Sequence, residues 1–446
     1  MRKADRVSWD DVRTTLWFWP ALTCLGSLIV TILLLLVRPD PESRWAKWTW
    51  PGDAEGATSM LQTVATAVMT ATTLTFSLTI IALQLASQQF SPRLLRDFAR
   101  DARIQGTLAV LLSTFVVSVV CLRGIDPERP LPTLAILLAH VLALVSAGAL
   151  LMFVAHLVRA LRVDTLLATA HQTAVSSIPD SYHPYDEGPA RPGPELPGPH
   201  GGTVLYARRS GYVRVIEPAP VSRLASETGV FLRLGVRPGD HIVQGTPVGS
   251  AWALGGDAVP VERLNEGLLH AVEVGYERTE EQDVAFGFRQ LVDTAVKAIS
   301  PSINDPTTCA TALGYCADLL VRLTDRRLGA QVVCDEAGEP RAVLPDRDFR
   351  YYLDLSCAQV RRFGQTEPTV LTALLRLLRD VALACRDDEQ REEVRRQLRL
   401  VLDQMPDSLL DDDRAVVAEH GRRVELALSG EVEQAYDDPS GLFRSF

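Results

Sequence analysis

Between Glu55 and Arg93 the chain carries no charged residue. A helix over that run would be more than ~50 Å long, well beyond the ~30 Å hydrocarbon core that roughly 20 apolar residues cross. The run is therefore read as a transmembrane helix whose Gln-rich end projects into water. Its polar residues form a series: Ser59, Thr63, Thr66, Thr70, Thr73, Ser77, Gln84 and Gln88 follow one another at steps of three, four or seven, which sets them on one stripe of a helix. An unsatisfied polar group in hydrocarbon costs several kcal/mol, so such a stripe is expected to face other helices or a water-filled path. Hydroxylated residues serve tight helix packing, and Thr can bond back to its own backbone. They also hydrate pores, with apolar residues such as Leu74, Leu78 and Ile81 as girdles. Both readings stay open at this point; under the second, Thr63, Thr66, Thr70, Thr73, Ser77, Gln84 and Gln88 line the path.

Ser91-Pro92 then offers a helix restart, a cap residue followed by proline at the first helical position. Beyond it Arg93, Arg96, Arg100 and Arg103 recur at helical spacing and are candidates for binding lipid headgroups, the alternative being an ordinary positive loop. Either way the arginines put this loop in the cytoplasm. Three further apolar runs are read as spans: Thr14 to Val37, about Ile104 to Leu122, and about Leu131 to Val158. The first lacks a small-residue cleavage site before Arg38 and reads as an uncleaved span. Trp45, Trp48 and Trp50 suit an aromatic belt on the outer side. The result is a multi-pass protein of the cell (plasma, or inner) membrane with both termini cytoplasmic. Of the two histidines in the last span, His156 reads as interfacial and His140 as neutral and hydrogen-bonded.

Charge divides the chain in the same place. Of its 45 Lys and Arg and 55 Asp and Glu, residues 1–160 hold 14 and 11, so the remainder is acidic by 13. That acidity argues against nucleic acid as a partner, since phosphate binding is built on clustered Lys and Arg. The seven cysteines contain no CxxC pair and read as small core residues. Neither a metal site nor a cofactor is expected.

After a helical extension and Pro/Gly-rich linker (161–202), short β-type runs such as TVLYA, GYVRVI and VFLRLG, with an RPGD turn at Arg237 to Asp240, predict a small β module over 203–260. The GYV start and RPGDHIVQGTPVG ending resemble a barrel-sandwich carrier module. Carriers attach their group to a lysine, and none occurs between Lys47 and Lys297, so an adaptor or gating collar fits better. From Val261 to about 430 the pattern is helical, followed by a polar tail over 431–446. The fold class is thus mainly α: a four-span helical domain (1–160), then a cytoplasmic part with the β module and a C-terminal helical domain (261–430).

Within that last domain Arg278, Asp283, Arg289, Asp293, Asn304 and Asp305 stand out in RTEEQDVAFGFRQLVDTAVKAISPSINDPTT. A helix from Glu281 to Ile299 buries Val284, Phe288, Leu291, Val292, Ala295 and Ile299, and sets Arg289, Asp293 and Lys297 in a charge series. Pro301 stops it, Asp305 caps the next helix, and Pro306 opens that helix. The six polar residues could frame a pocket; each also has a plain pairing or capping role. This motif, the FSPRLL segment and the RPGD turn resemble the bacterial membrane-protein family called domain of unknown function 2254, over about Val12 to Leu428. The resemblance implies a multi-pass membrane protein and brings no activity, substrate or catalytic residue.

No P-loop, dinucleotide fingerprint, HExxH or GxSxG occurs, so an enzyme is not expected. Two function classes follow. One is a homo-oligomeric channel-like or transport protein, with the span Ser59 to Gln88 lining the path and a cytoplasmic regulatory domain that has an unidentified small-molecule or protein partner. The other is a membrane-anchored scaffold or sensor without conduction. Four spans are few for a monomeric transporter, so the first class requires several copies.

Overall fold

The computed structural model describes residues 18–39, 43–89, 101–126, 129–160, 162–187, 196–198, 200–256 and 258–438. The chain divides into two compact units, Met1–Leu166 and Leu167–Phe446.

The first unit is helical: α1 (Phe18–Leu36), the short α2 (Arg44–Thr49), α3 (Ala54–Gln89), α4 (Ala102–Gly124) and α5 (Thr133–Ala160). Among the described residues α1, α3, α4 and α5 are the four helices long and apolar enough to cross a membrane, as the sequence predicts. Helix α4 is the hub: 61% of its most apolar window is buried, against 11 to 22% for the others, and α1, α3 and α5 all pack on it. Two apolar contacts hold the unit, one of Leu61, Val117, Cys121 and Ala135, the other of Ala82, Ile104, Phe153 and Leu157. At the end of α4, Gly124 lets Leu35 approach: a Cβ there would lie 2.5 Å from Leu35 Cδ2. Arg38 seals that end by donating to the carbonyls of Gly124 (3.2 Å) and Pro130 (3.0 Å). Leu22, Leu25, Leu144, Leu151 and Met152 point outward, as lipid-facing side chains do.

The second unit begins within α6 (Val163–Ser181). Pro179 does not interrupt this helix as the sequence reading expects. It lies near the end, and the Tyr182 N–H still reaches the Ile178 carbonyl (2.9 Å). There follow β1 (Thr203–Tyr206), β2 (Gly211–Ile216), α7 (Pro218–Thr228), β3 (Val230–Leu234), β4 (His241–Ile242), β5 (Pro247–Ala253), α8 (Val261–Ala271) and β6 (Val272–Gly275). Next come α9 (Val284–Ala298), α10 (Pro306–Thr324), the hairpin strands β7 (Gln331–Cys334) and β8 (Pro340–Leu344), and helices α11 (Phe349–Gly364), α12 (Pro368–Ala384), α13 (Asp388–Asp403), α14 (Asp411–Leu428) and α15 (Val432–Tyr436).

The strands form a five-stranded sheet in the order β1-β5-β3-β8-β7 and a three-stranded sheet in the order β4-β2-β6. Every pair is antiparallel except β3 with β8, where Leu232 faces Ala342. The sequence reading predicts the first five strands. It does not predict α7, which interrupts them, nor β6, β7 and β8, which join both sheets from the stretch read as helical. Helix α7 has proline at its first turn and ends at Gly229 in the left-handed region (φ 64°). Val221, Ala225, Leu264 and Leu268 of α7 and α8 complete the core of the sheets. The helices α9 to α14 pack as a second layer of the unit, with Tyr352, Phe288 and Leu374 fully buried.

Candidate functional site: an outward polar stripe and a buried ion cluster

On α3 the residues buried against neighbouring helices are Ala57, Leu61, Ala65, Val68, Thr75 and Ala82. At about 100° per residue these fall on one side of the helix, and the predicted stripe falls nearly opposite. Thr63, Thr66, Thr70, Thr73, Ser77 and Gln84 are all exposed. Among the described residues no helix covers the stripe. The hydroxyl contact between spans lies elsewhere, where Thr114 of α4 meets Ser146 of α5 at 2.7 Å, buried. The threonines of the stripe bond to their own helix: Thr63 to the Ser59 carbonyl (2.8 Å), Thr66 to Gln62 (2.9 Å), Thr70 to Thr66 (2.9 Å) and Thr73 to Met69 (3.1 Å). The Ser77 and Gln84 side chains make no hydrogen bond among the described residues. Leu74, Leu78 and Ile81 are exposed beside the stripe. The side chain of Gln88 lies outside the described residues.

Arg93, Arg96 and Arg100 also lie outside them. Arg103 is described, and it joins a polar cluster at the start of α4. Asp101 caps that helix, its Oδ1 accepting from the Arg103 N–H (2.7 Å), while its Oδ2 lies 2.5 Å from His156 Nε2. The other ring nitrogen, Nδ1, lies 3.0 Å from Arg103 Nη1. A guanidinium only donates, so Nδ1 is placed to accept from Arg103 and Nε2 to donate to Asp101. His140, expected to be bonded, is exposed on α5 and makes no hydrogen bond among the described residues.

In the second unit the RPGD turn and the RTEEQD segment meet. Gly239 adopts φ 89°, and a Cβ there would lie 2.0 Å from Asp283 Oδ2, so both the backbone and the space demand glycine. Asp283 stands at the cap position of α9 yet makes no side-chain cap bond. Its carboxylate turns instead to Arg278 (Nε to Oδ2, 2.5 Å) and Arg347 (Nη1 to Oδ1, 3.4 Å), and both Asp283 and Arg347 are almost wholly buried. Arg347 Nη2 donates to the Pro238 carbonyl (2.8 Å), fastening the turn. Burial opposes the Arg347 charge, and the Asp283 carboxylate together with Tyr352 and Tyr351 more than offsets it, holding the guanidinium pKa above its usual value. Next to it, burial pushes Asp346 up to about 6, against the Arg347 N–H (2.7 Å) and charge and the Tyr182 hydroxyl (3.3 Å). With Tyr182 donating to Asp346, Tyr352 donates to Tyr182 across 2.6 Å.

The six polar residues singled out in the sequence do not converge. Arg278 and Asp283 sit at the start of α9; Arg289, midway, donates to Gln359 of α11 (3.3 Å). Asn304 and Asp305 lie beyond the far end of α9, whose length is about 22 Å. Asn304 makes the turn with φ 51°, and Asp305 caps α10 through the Thr308 N–H (3.0 Å) and hydroxyl (2.6 Å). Those bonds hold the Asp305 carboxyl below its ordinary value. Asp293 is half-buried on α9. Residues absent from the sequence reading complete the cluster: Arg347, Asp346, Tyr182 and Tyr352 belong to no motif, and only the RPGD glycine signalled a close approach.

A family model described as a predicted membrane protein, DUF2254, matches residues 13–380. Proteins of Mycobacterium bovis and Mycobacterium tuberculosis, each described as uncharacterized, are 36% identical over 374 residues, or 82% of this chain and 71% of theirs. No solved structure matches the chain.

Proposed function

We propose that this chain, which belongs to the DUF2254 family of predicted membrane proteins, assembles with copies of itself into a channel-like path lined by α3. The observation that carries this reading is the place of the stripe. Thr63, Thr66, Thr70, Thr73 and Ser77 lie on the side of α3 facing away from α4 and α5. Among the described residues nothing covers the stripe, so in this reading the path along it forms between copies. The threonine hydroxyls are satisfied by their own helix, which a lipid-facing scaffold anchor would also need. Ser77 and Gln84 tip the balance, because a polar side chain without a partner is costly in hydrocarbon and costs little facing water.

In this reading the protein lies in the plasma membrane with both termini and the second unit in the cytoplasm. The two sheets, a barrel-sandwich-like module, act as a collar or adaptor, and the helical layer regulates the path. Arg278, Asp283 and Arg347 form a structural clamp rather than a reaction centre, since the carboxylate is enclosed by its arginines. Arg93, Arg96, Arg100 and Arg103 meet lipid headgroups.

Flux of ions and small solutes into liposomes carrying the protein tests this. Thr73→Leu should keep oligomer size and thermal stability and lose flux, because no described helix packs over the exposed position and a bulky apolar residue dewets a narrow path. A wild-type protein that passes nothing, with Thr73→Leu indistinguishable from it, leaves the membrane-anchored scaffold as the function.

A further inference from the structure

Away from the ion cluster, a cavity of about 540 Å³ opens between α10 and α12. One wall is small and apolar: Ala310, Leu313, Gly314 and Ala317 of α10. A Cβ on Gly314 would meet nothing within 4 Å. The opposite wall carries Arg376, Arg379 and Asp380 of α12, and Tyr436 of α15 closes one side.

Arg379 is 5% exposed, and its Nη1 has no hydrogen-bond partner among the described residues. Its Nε and Nη2 donate to Asp380 Oδ1 (3.1 and 2.9 Å), and its guanidinium stacks on the Tyr436 ring at 4.0 Å. Asp380 Oδ1 also accepts from the Tyr436 hydroxyl at 2.5 Å, so this carboxylate is engaged by groups already in the wall. At His420, beside the cavity, the neighbouring charges are mainly positive, with Glu419 opposing. Burial and then the charges of Arg376, Arg379 and Arg423 push the nearby His420 down to about 4, and burial and then Arg379 lower the Arg376 pKa. Gathering guanidinium groups at a buried wall costs free energy that a bound anion offsets.

We propose that this cavity binds a small organic anion, its apolar body against Ala310, Leu313 and Ala317 and its carboxylate or phosphate head on Arg376 and Arg379. The volume falls in the range of roughly 300–1,000 Å³ typical of sites for such molecules. The two walls make opposite demands, so neither inorganic phosphate nor a neutral apolar molecule satisfies both.

Calorimetric titration of the full chain in nanodiscs of zwitterionic lipid tests the site, with benzoate, phenyl phosphate, inorganic phosphate and benzyl alcohol as probes. At least one of the two aromatic anions should bind saturably, and their comparison identifies the preferred head. Inorganic phosphate and benzyl alcohol should bind about tenfold more weakly or worse. Gly314→Leu fills the cavity from an exposed position and should abolish binding with the unfolding midpoint kept. Arg376→Gln should weaken the anion about tenfold without affecting benzyl alcohol, and decides the matter if Gly314→Leu does not fold. Absence of saturable anion binding, equal binding of benzyl alcohol, or binding unmoved by Arg376→Gln would each overturn the site.

Discussion

Gly239 and Asp283 show how one residue fixes the neighbours of another. The carboxylate comes so close to the Gly239 backbone that no side chain fits between them, and the positive φ adds a second demand for glycine. Gly239→Ala should lower the stability of the second unit by ~2–4 kcal/mol, measured by denaturant unfolding, because it strains the turn and displaces a buried ion pair. A variant as stable as the wild type would mean that the cluster does not fasten the turn. Asp346 gives a pH test. Its folded pKa of about 6 stands above the ordinary 3.8, so the folded state binds more protons between those values and stability falls as pH rises through that window. Asp305 has the opposite sign: its pKa is depressed, and the stability it gives is lost as pH falls through the acid range. The difference between wild type and Asp346→Asn should therefore change by ~2–3 kcal/mol between pH 4 and about 6.5. Identical pH dependence of the two proteins would contradict the burial of Asp346.

At the scale of elements, what was legible followed from local chemistry. Asp305-Pro306 opens α10 as its capping and first-turn residues require. The alternation in GYVRVI and VFLRLG gives β2 and β3, and the apolar runs give the four spans. What was not legible depends on distant partners. Strand β8 lies parallel to β3 although more than a hundred residues separate them, and the short VEVG of β6 pairs with β2 across two intervening helices and three strands. Neither pairing leaves a periodic trace in so short a segment. The helix α9 was expected to begin at Glu281 and begins at Val284, since Asp283 is held by Arg278 and Arg347 instead of joining the helix. The candidate pocket built on its polar residues failed for a geometric reason. A 15-residue helix holds Asp283 and Asp305 apart, and periodicity says which residues share a face, not which share a place.

For the whole molecule, the central claim is that several copies meet along α3. The polar stripe was visible in sequence; which way it faces was not, because side and neighbour are set by how α3 packs on α4 and α5. The most direct measurement is intermolecular disulfide trapping in native membranes. With Cys24, Cys121 and the other native cysteines replaced by serine or alanine, single cysteines are placed at Thr70 on the stripe, at Leu61 on the buried face and at Leu144 on the lipid-facing side of α5. The account predicts rapid cross-linking of Thr70→Cys into dimers, and none for Leu61→Cys or Leu144→Cys. Cross-linking of Leu144→Cys with Thr70→Cys remaining monomeric, or no cross-linking at any position under catalysed oxidation, would contradict an assembly built around the α3 stripe.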